Sequence, residues 1–328
     1  MLNEKICLAG GSNTGFGECY LNPKNIVGFI LAPLGSVITE ADAGDFGAFL
    51  ESKINAANPA ERWYPVHGFE AVTDNTEDVT IETMGYGGKG IVREGDYDLL
   101  FRWVVGGMCL QKSLRKFNNT NMGVFLIDAD GMLFGTTVNG EMQAIPLVLF
   151  YTNPWRVNDG STSTVYGVRI VFRPRPVNED LAFLDVAAMG FVLSSFKGLQ
   201  NMSLVVLDPE NAPITNIRVV SGCNRGNLYA EYSTELAAPD LWRASKVSDD
   251  SPIVISTVTA NSGLEAMTVT VADGASDYFV RLVNPEALAA AGIVGYDSQV
   301  VKVVVDGATA LARTKNLGKP QKDDPKPE

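Results

Sequence analysis

The side chains able to do chemistry are few and poorly clustered. A single histidine, His67, stands in the run Tyr-Pro-Val-His-Gly-Phe with no second histidine or cysteine beside it. A lone imidazole in such a run reads as a packed or hydrogen-bonded residue, not as a base or a metal ligand. Cys7, Cys19, Cys109 and Cys223 lack any paired spacing. They form neither a zinc ribbon nor a disulfide framework and are expected to be free thiols of a reducing interior. Gly85, Gly87 and Gly90 satisfy G-x-G-x-x-G. A dinucleotide site needs a helix after that motif, whereas the residues that follow read as a strand carrying Glu94 and Asp96, which repel phosphate. The motif is therefore expected to be a hairpin loop. Asp128-Ala-Asp130-Gly131 begins like a calcium loop, but Asn139 stands where the closing glutamate belongs, so a tight turn is expected. The sequons at Asn118 and Asn201 have meaning only in a secreted chain.

One constellation stands out by charge. Glu70, Asp74, Glu77, Asp78 and Glu82 follow one another without an intervening lysine or arginine, and Asp96 and Asp98 come soon after. Like charges in a row repel an anion; they do not grip one. The whole chain repeats that bias, with a net charge of −12 over 328 residues. Binding to a phosphate backbone through the general field is excluded. At 46% hydrophobic and 20% charged, the chain has ample material for a core.

Alternation says how these residues are held. In residues 93–105, Tyr97, Leu99, Phe101 and Trp103 fall on one face, while Asp96, Asp98 and Arg102 fall on the other. Residues 78–84 alternate likewise, with Val79 and Ile81 expected inside and Thr80 and Glu82 outside. Residues 85–90 join the two runs as a glycine-rich loop. Residues 26–34 (IVGFILAPL) are too short to span a bilayer and read as a buried strand. Residues 122–138 read as strand, Asp-Gly turn and strand, and 143–151 and 164–172 add two more strands. Helices are expected at 39–58, opened by a Thr39/Asp42 capping box, and at 110–117.

The Pro/Asn/Asp cluster at 207–213 reads as a boundary. The expected organisation is a β-sandwich or barrel domain with one or two helices over 1–207, an immunoglobulin-like β-sandwich over 208–312 and a disordered tail over 313–328. The second domain is expected from its rhythm of short strands, at 214–220, 227–232, 242–247, 252–259, 264–271, 278–283 and 299–305. The tail is rich in Lys, Asp and Pro with little to bury. The opening residues lack a basic stretch followed by a long apolar one, so no secretory leader is expected.

In this order of elements the chain resembles the tail tube (major tail) proteins of long-tailed bacteriophages, some of which carry an added immunoglobulin-like domain. The residues that carry the likeness are the capped helix after Thr39, the strand pair flanking the glycine-rich loop, the opening AGGSNTGFGECYLNPKNIVGFIL and the strand REGDYDLLFRW, which is similar to structural proteins of Bacteroidetes phages. The resemblance implies stacked, hexameric rings whose strands close an inner barrel, a virion location after assembly in the host cytoplasm, and DNA as a cargo that must not adhere. It places Glu77, Asp78, Glu82, Asp96 and Asp98 toward the lumen. It makes Gly85, Tyr86, Gly87, Gly88, Lys89 and Gly90, with residues 3–18, contacts between subunits. Partners would be copies of the chain and other tail or virion proteins, with no membrane, cofactor, metal or catalytic group. Competing readings are another virion part (head decoration, adaptor or fibre base), a carbohydrate-binding surface module, or a two-carboxylate glycosidase.

Overall fold

The apolar run at 26–34 can avoid water only if both of its faces are covered, and the fold is built around that need. A computed structural model of the chain describes residues 24–157, 160, 164–196, 198–211, 213–222, 225–273 and 276–305. The expectations for residues 3–18, for Cys7, Cys19 and Cys223 and for the tail at 313–328 lie outside the described residues. The protein is mainly β, with 46% of the described residues in strands and 19% helical, and its sheets form sandwich-like arrangements. It divides into two compact units, Met1–Leu199 and Gln200–Glu328.

The first unit contains, in order, β1 (Ile26–Pro33), β2 (Val37–Ile38), α1 (Glu40–Gly44), α2 (Phe46–Ile54), β3 (Tyr64–His67), β4 (Ala71–Asp74), β5 (Thr80–Thr83), β6 (Lys89–Arg93) and β7 (Tyr97–Trp103). There follow α3 (Gly107–Arg115), β8 (Met122–Asp128), β9 (Met132–Val138), β10 (Glu141–Gln143), β11 (Ile145–Thr152), β12 (Tyr166–Phe172), α4 (Arg175–Asn178) and β13 (Leu181–Asp185). One edge of β8 pairs with β1. The other edge is shared: Leu126 and Ile127 pair with β9, whereas Gly123 and Val124 pair with β11. The sheet therefore forks. One limb continues through β9, β10 and β2, and the other runs β11–β12–β7–β4.

Every residue of β8 is buried, because it has a core on each side. Ile30, Ala32, Phe125 and Ile127 pack against Phe46, Leu50 and Ile54 of α2. Phe29, Leu31, Val124 and Leu126 face Phe101, Trp103, Phe150, Val168, Ile170 and Phe172 of the second limb. The capping box at Thr39 is present, with Asp42 Nα donating to Thr39 Oγ1 and Thr39 Nα donating to Asp42 Oδ2. The single helix expected over 39–58 is instead two helices, because Asp45 stops α1 and its carboxylate caps α2 at Ala48 Nα. The Asp-Gly turn forms as expected: Asp128 Oδ1 accepts from the backbone N–H groups of Asp130 and Met132.

The second unit comprises β14 (Gln200–Asn211), β15 (Ile214–Ser221), β16 (Gly226–Asn227), α5 (Tyr229–Tyr232), β17 (Trp242–Lys246), β18 (Pro252–Ile253), β19 (Ile255–Asn261), β20 (Ala266–Val271), β21 (Tyr278–Leu282), α6 (Pro285–Ala290), β22 (Tyr296–Ser298) and β23 (Val301–Val303). Two sheets, β19–β20–β15–β14–β22 and β18–β17–β21–β23, enclose a core centred on Trp242, Tyr278, Ile217 and Val269. Residues 207–211 of the expected boundary cluster belong to β14, which pairs with β15, so the division falls before Gln200 and not within that cluster. Two expected strands differ. Residues 229–232 are helical, where Asn227 Oδ1 accepts from Tyr229 Nα and starts the turn. Residues 252–259 break at Val254, and the chain passes there from one sheet (β18 on β17) to the other (β19 on β20).

Candidate assembly surface

Among the described residues, the strands β5 and β6 pair only with each other. Their register sets Ile81 opposite Ile91 and Thr83 opposite Lys89, so alternation puts two isoleucines on one face, outside every core cluster of the described residues. Ile81 is 57% exposed, Ile91 68% and Tyr86 87%. The expectation that Val79 and Ile81 point into the fold is thus corrected: the hairpin stands clear of every core. Its tip closes through Gly87 Nα donating to Met84 O (2.8 Å) and Met84 Nα donating to Gly88 O (2.7 Å), with Gly87 in the left-handed region that glycine accepts without strain.

The base of this arm is firmly set. Glu77 backbone lies so close to Gly95 that a Cβ there would sit 1.7 Å from Glu77 O. Arg93 bridges Glu77 and Asp96 at 3.5 Å each. On the strand before, Asp74 Oδ1 accepts from Thr76 Nα, and Asn75 Nα donates to Asp98 O. Because β4 and β7 pair with each other, the arm is an outward continuation of that edge ribbon. Ten extended residues from its base to its tip reach about 30 Å. Between Glu77 and Asp96 it carries five acids and two bases, a net −3.

Glu77, Asp78, Glu82 and Asp96 therefore gather on the arm and its base, with the loop from Gly85 to Gly90 at the tip. Asp98 is different. It stands on the face away from Phe101 and Trp103, as alternation requires, but its side chain is only 7% exposed and forms a bidentate pair with Arg169. Asp98 in turn holds the Arg169 guanidinium above its ordinary pKa, first by hydrogen bonding and then by charge. It presents no free charge to a channel.

That outer face of β11–β12–β7–β4 was not foreseen as a unit. Leu100, Leu149 and Val171 are half-buried there, belong to no core cluster, and lie beside the exposed Tyr151. Arg102 is half-buried between Ala71 and Gly167, and among the described residues its guanidinium has neither an ion-pair partner nor a hydrogen-bond acceptor. The signal was available for Arg102, which alternates with Asp98; Arg169 could be found only once the register of β7 with β12 was known.

The remaining candidates are structural. His67 pairs opposite Gly28 on β3. Asn118 Oδ1 accepts from Thr152 Nα. Cys109 is disulfide-bonded, not the free thiol expected. Among the described residues no cluster of His, Cys, Asp and Glu has the arrangement to hold a metal ion, and no helix is long and apolar enough to cross a membrane. No family model, no curated protein and no solved structure matches the chain.

Proposed function

We propose that the chain is a virion structural subunit that assembles with copies of itself into stacked rings, forming the tail tube through which phage DNA passes. The observation that carries this reading is the arm of β5 and β6. A two-stranded hairpin is marginal alone in water, and this one keeps Val79, Ile81, Ile91 and Val92 exposed in the single chain. Apolar side chains on a projecting ribbon gain about 25 cal/mol per Å2 once covered, and in a homo-oligomer a neighbouring copy provides the cover. Closing sheets between subunits also removes the edge at β4, which among the described residues pairs on one side only. The acids Glu77, Asp78, Glu82 and Asp96 would then give the assembly an anionic lining past which DNA moves without adsorbing. The tip residues Gly85 to Gly90 would make contacts between subunits.

Electron microscopy of the purified protein at high concentration tests this directly. Filaments or rings with a central hole are expected. Monodisperse single chains at every concentration would overturn it.

A further inference from the structure

The arm needs a surface to land on, and the same chain carries one that its described residues leave partly open. We propose that the arm of one copy docks on the outer face of the β11–β12–β7–β4 sheet of a second copy, with Arg102 receiving one of its carboxylates. This inference rests on the self-assembly reading above and names the two surfaces that meet.

Three observations fit them to each other. The arm exposes apolar Ile81 and Ile91 on one face, and the sheet sets half-buried Leu100, Leu149 and Val171 beside exposed Tyr151 on its outer side. Charge is complementary as well. The arm is net −3, and among the described residues Asp78, Glu82 and Glu94 make no ion pair. The sheet face offers Arg102, half-buried and, among the described residues, without an acceptor, a state that costs desolvation unless a carboxylate arrives. Finally, the two surfaces do not satisfy each other within one chain, since Ile81, Ile91 and Tyr151 stay exposed and, among the described residues, Arg102 has no acceptor. Different patches meeting on different copies make a heterologous contact, which propagates into a ring or a filament, whereas a self-complementary patch stops at a dimer.

The experiment uses two full-length variants. The arm variant is Ile81→Asp with Ile91→Asp; the face variant is Arg102→Glu with Tyr151→Glu. All four positions lie outside the cores, and melting curves matching the parent verify folding. Should Arg102→Glu melt early, Arg102→Gln with Tyr151→Ser replaces it. Size-exclusion chromatography with light scattering is expected to show assembly of the parent, single chains for each variant alone, and one 1:1 heterodimer on mixing, because each variant keeps the surface that the other has lost. A mixture that stays as single chains while the parent assembles would overturn the docking and leave the self-assembly reading standing. A face variant that assembles like the parent would overturn it too. A parent that never assembles removes both.

Discussion

Asp98 on β7 and Arg169 on β12 are diagonal neighbours across the strand pair, with Arg169 Nε donating to both carboxylate oxygens at 2.7 and 2.9 Å. The carboxylate is nearly buried while the guanidinium is 49% exposed, so the pair fastens one limb of the forked sheet from its outer side. Removing the acid leaves an arginine that can turn to water. We expect Asp98→Ala to cost about 1.5–3 kcal/mol, the range for a hydrogen bond to a charged group. Glu82→Ala on the exposed arm should stay within about 0.5 kcal/mol. Urea unfolding of the two variants checks the difference, and equal effects would contradict the roles assigned here.

Gly95 gives a second contrast. A methyl group there would overlap Glu77 O, so Gly95→Ala must displace the backbone at the root of the arm. At Gly85 nothing lies within 4 Å of the added carbon. Gly95→Ala should lower the melting temperature or mis-set the arm so that assembly fails, while Gly85→Ala should leave both unchanged. Melting curves paired with light scattering separate these outcomes.

Lys89 and Arg93 place trypsin sites on the arm. In the single chain this ribbon is open on both faces and should be cut early. Once covered by a neighbour, it should be cut at least tenfold more slowly. Mass spectrometry of the first fragments from dilute and from assembled protein would show this, and equal rates would mean that the arm stays uncovered.

The second unit should be alkali-labile. Burial raises the Tyr278 phenol above its ordinary value of about 10, against a smaller lowering by its 2.6 Å hydrogen bond with Thr215. A folded-state value above the unfolded one supplies stability that is complete below about pH 10 and fades as pH climbs through the folded value. Tyr232, also raised chiefly by burial, has the same sign. Unfolding free energy should therefore fall above pH 10. Tyr278→Phe should cost about 1 kcal/mol at neutral pH through the unpaired Thr215 hydroxyl, and it should flatten the alkaline fall.

Much of the fold was legible because period and caps are local. The run at 26–34, the alternation in 97–103 and the Thr39/Asp42 box each announce an element within a few residues, and each element is present. What local pattern could not supply was register and partner. The alternation of Val79 and Ile81 is the same whether the strand covers a core or projects from one, so sequence placed them inside while the structure leaves them bare. The acids at 77, 78, 82 and 96 were found by composition alone. Asp98 was drawn into the same group because its partner lies 71 residues away in the chain. The break at Asp45 and the switch of sheets at Val254 also arise from tertiary demands that short windows do not contain.

The doubly covered strand β1 has a consequence for synthesis. Of its two pairing partners, β3 arrives early but β8 begins only at Met122, and much of the second core comes from residues beyond it. At about 5–20 residues per second, the run FILAP emerges and then waits several seconds or longer for the strand that shelters it. During that interval the nascent chain keeps one edge and one face of that apolar ribbon uncovered. Yield in a heterologous host should thus respond to translation speed, temperature and chaperone supply more strongly than the stability of the finished protein would indicate.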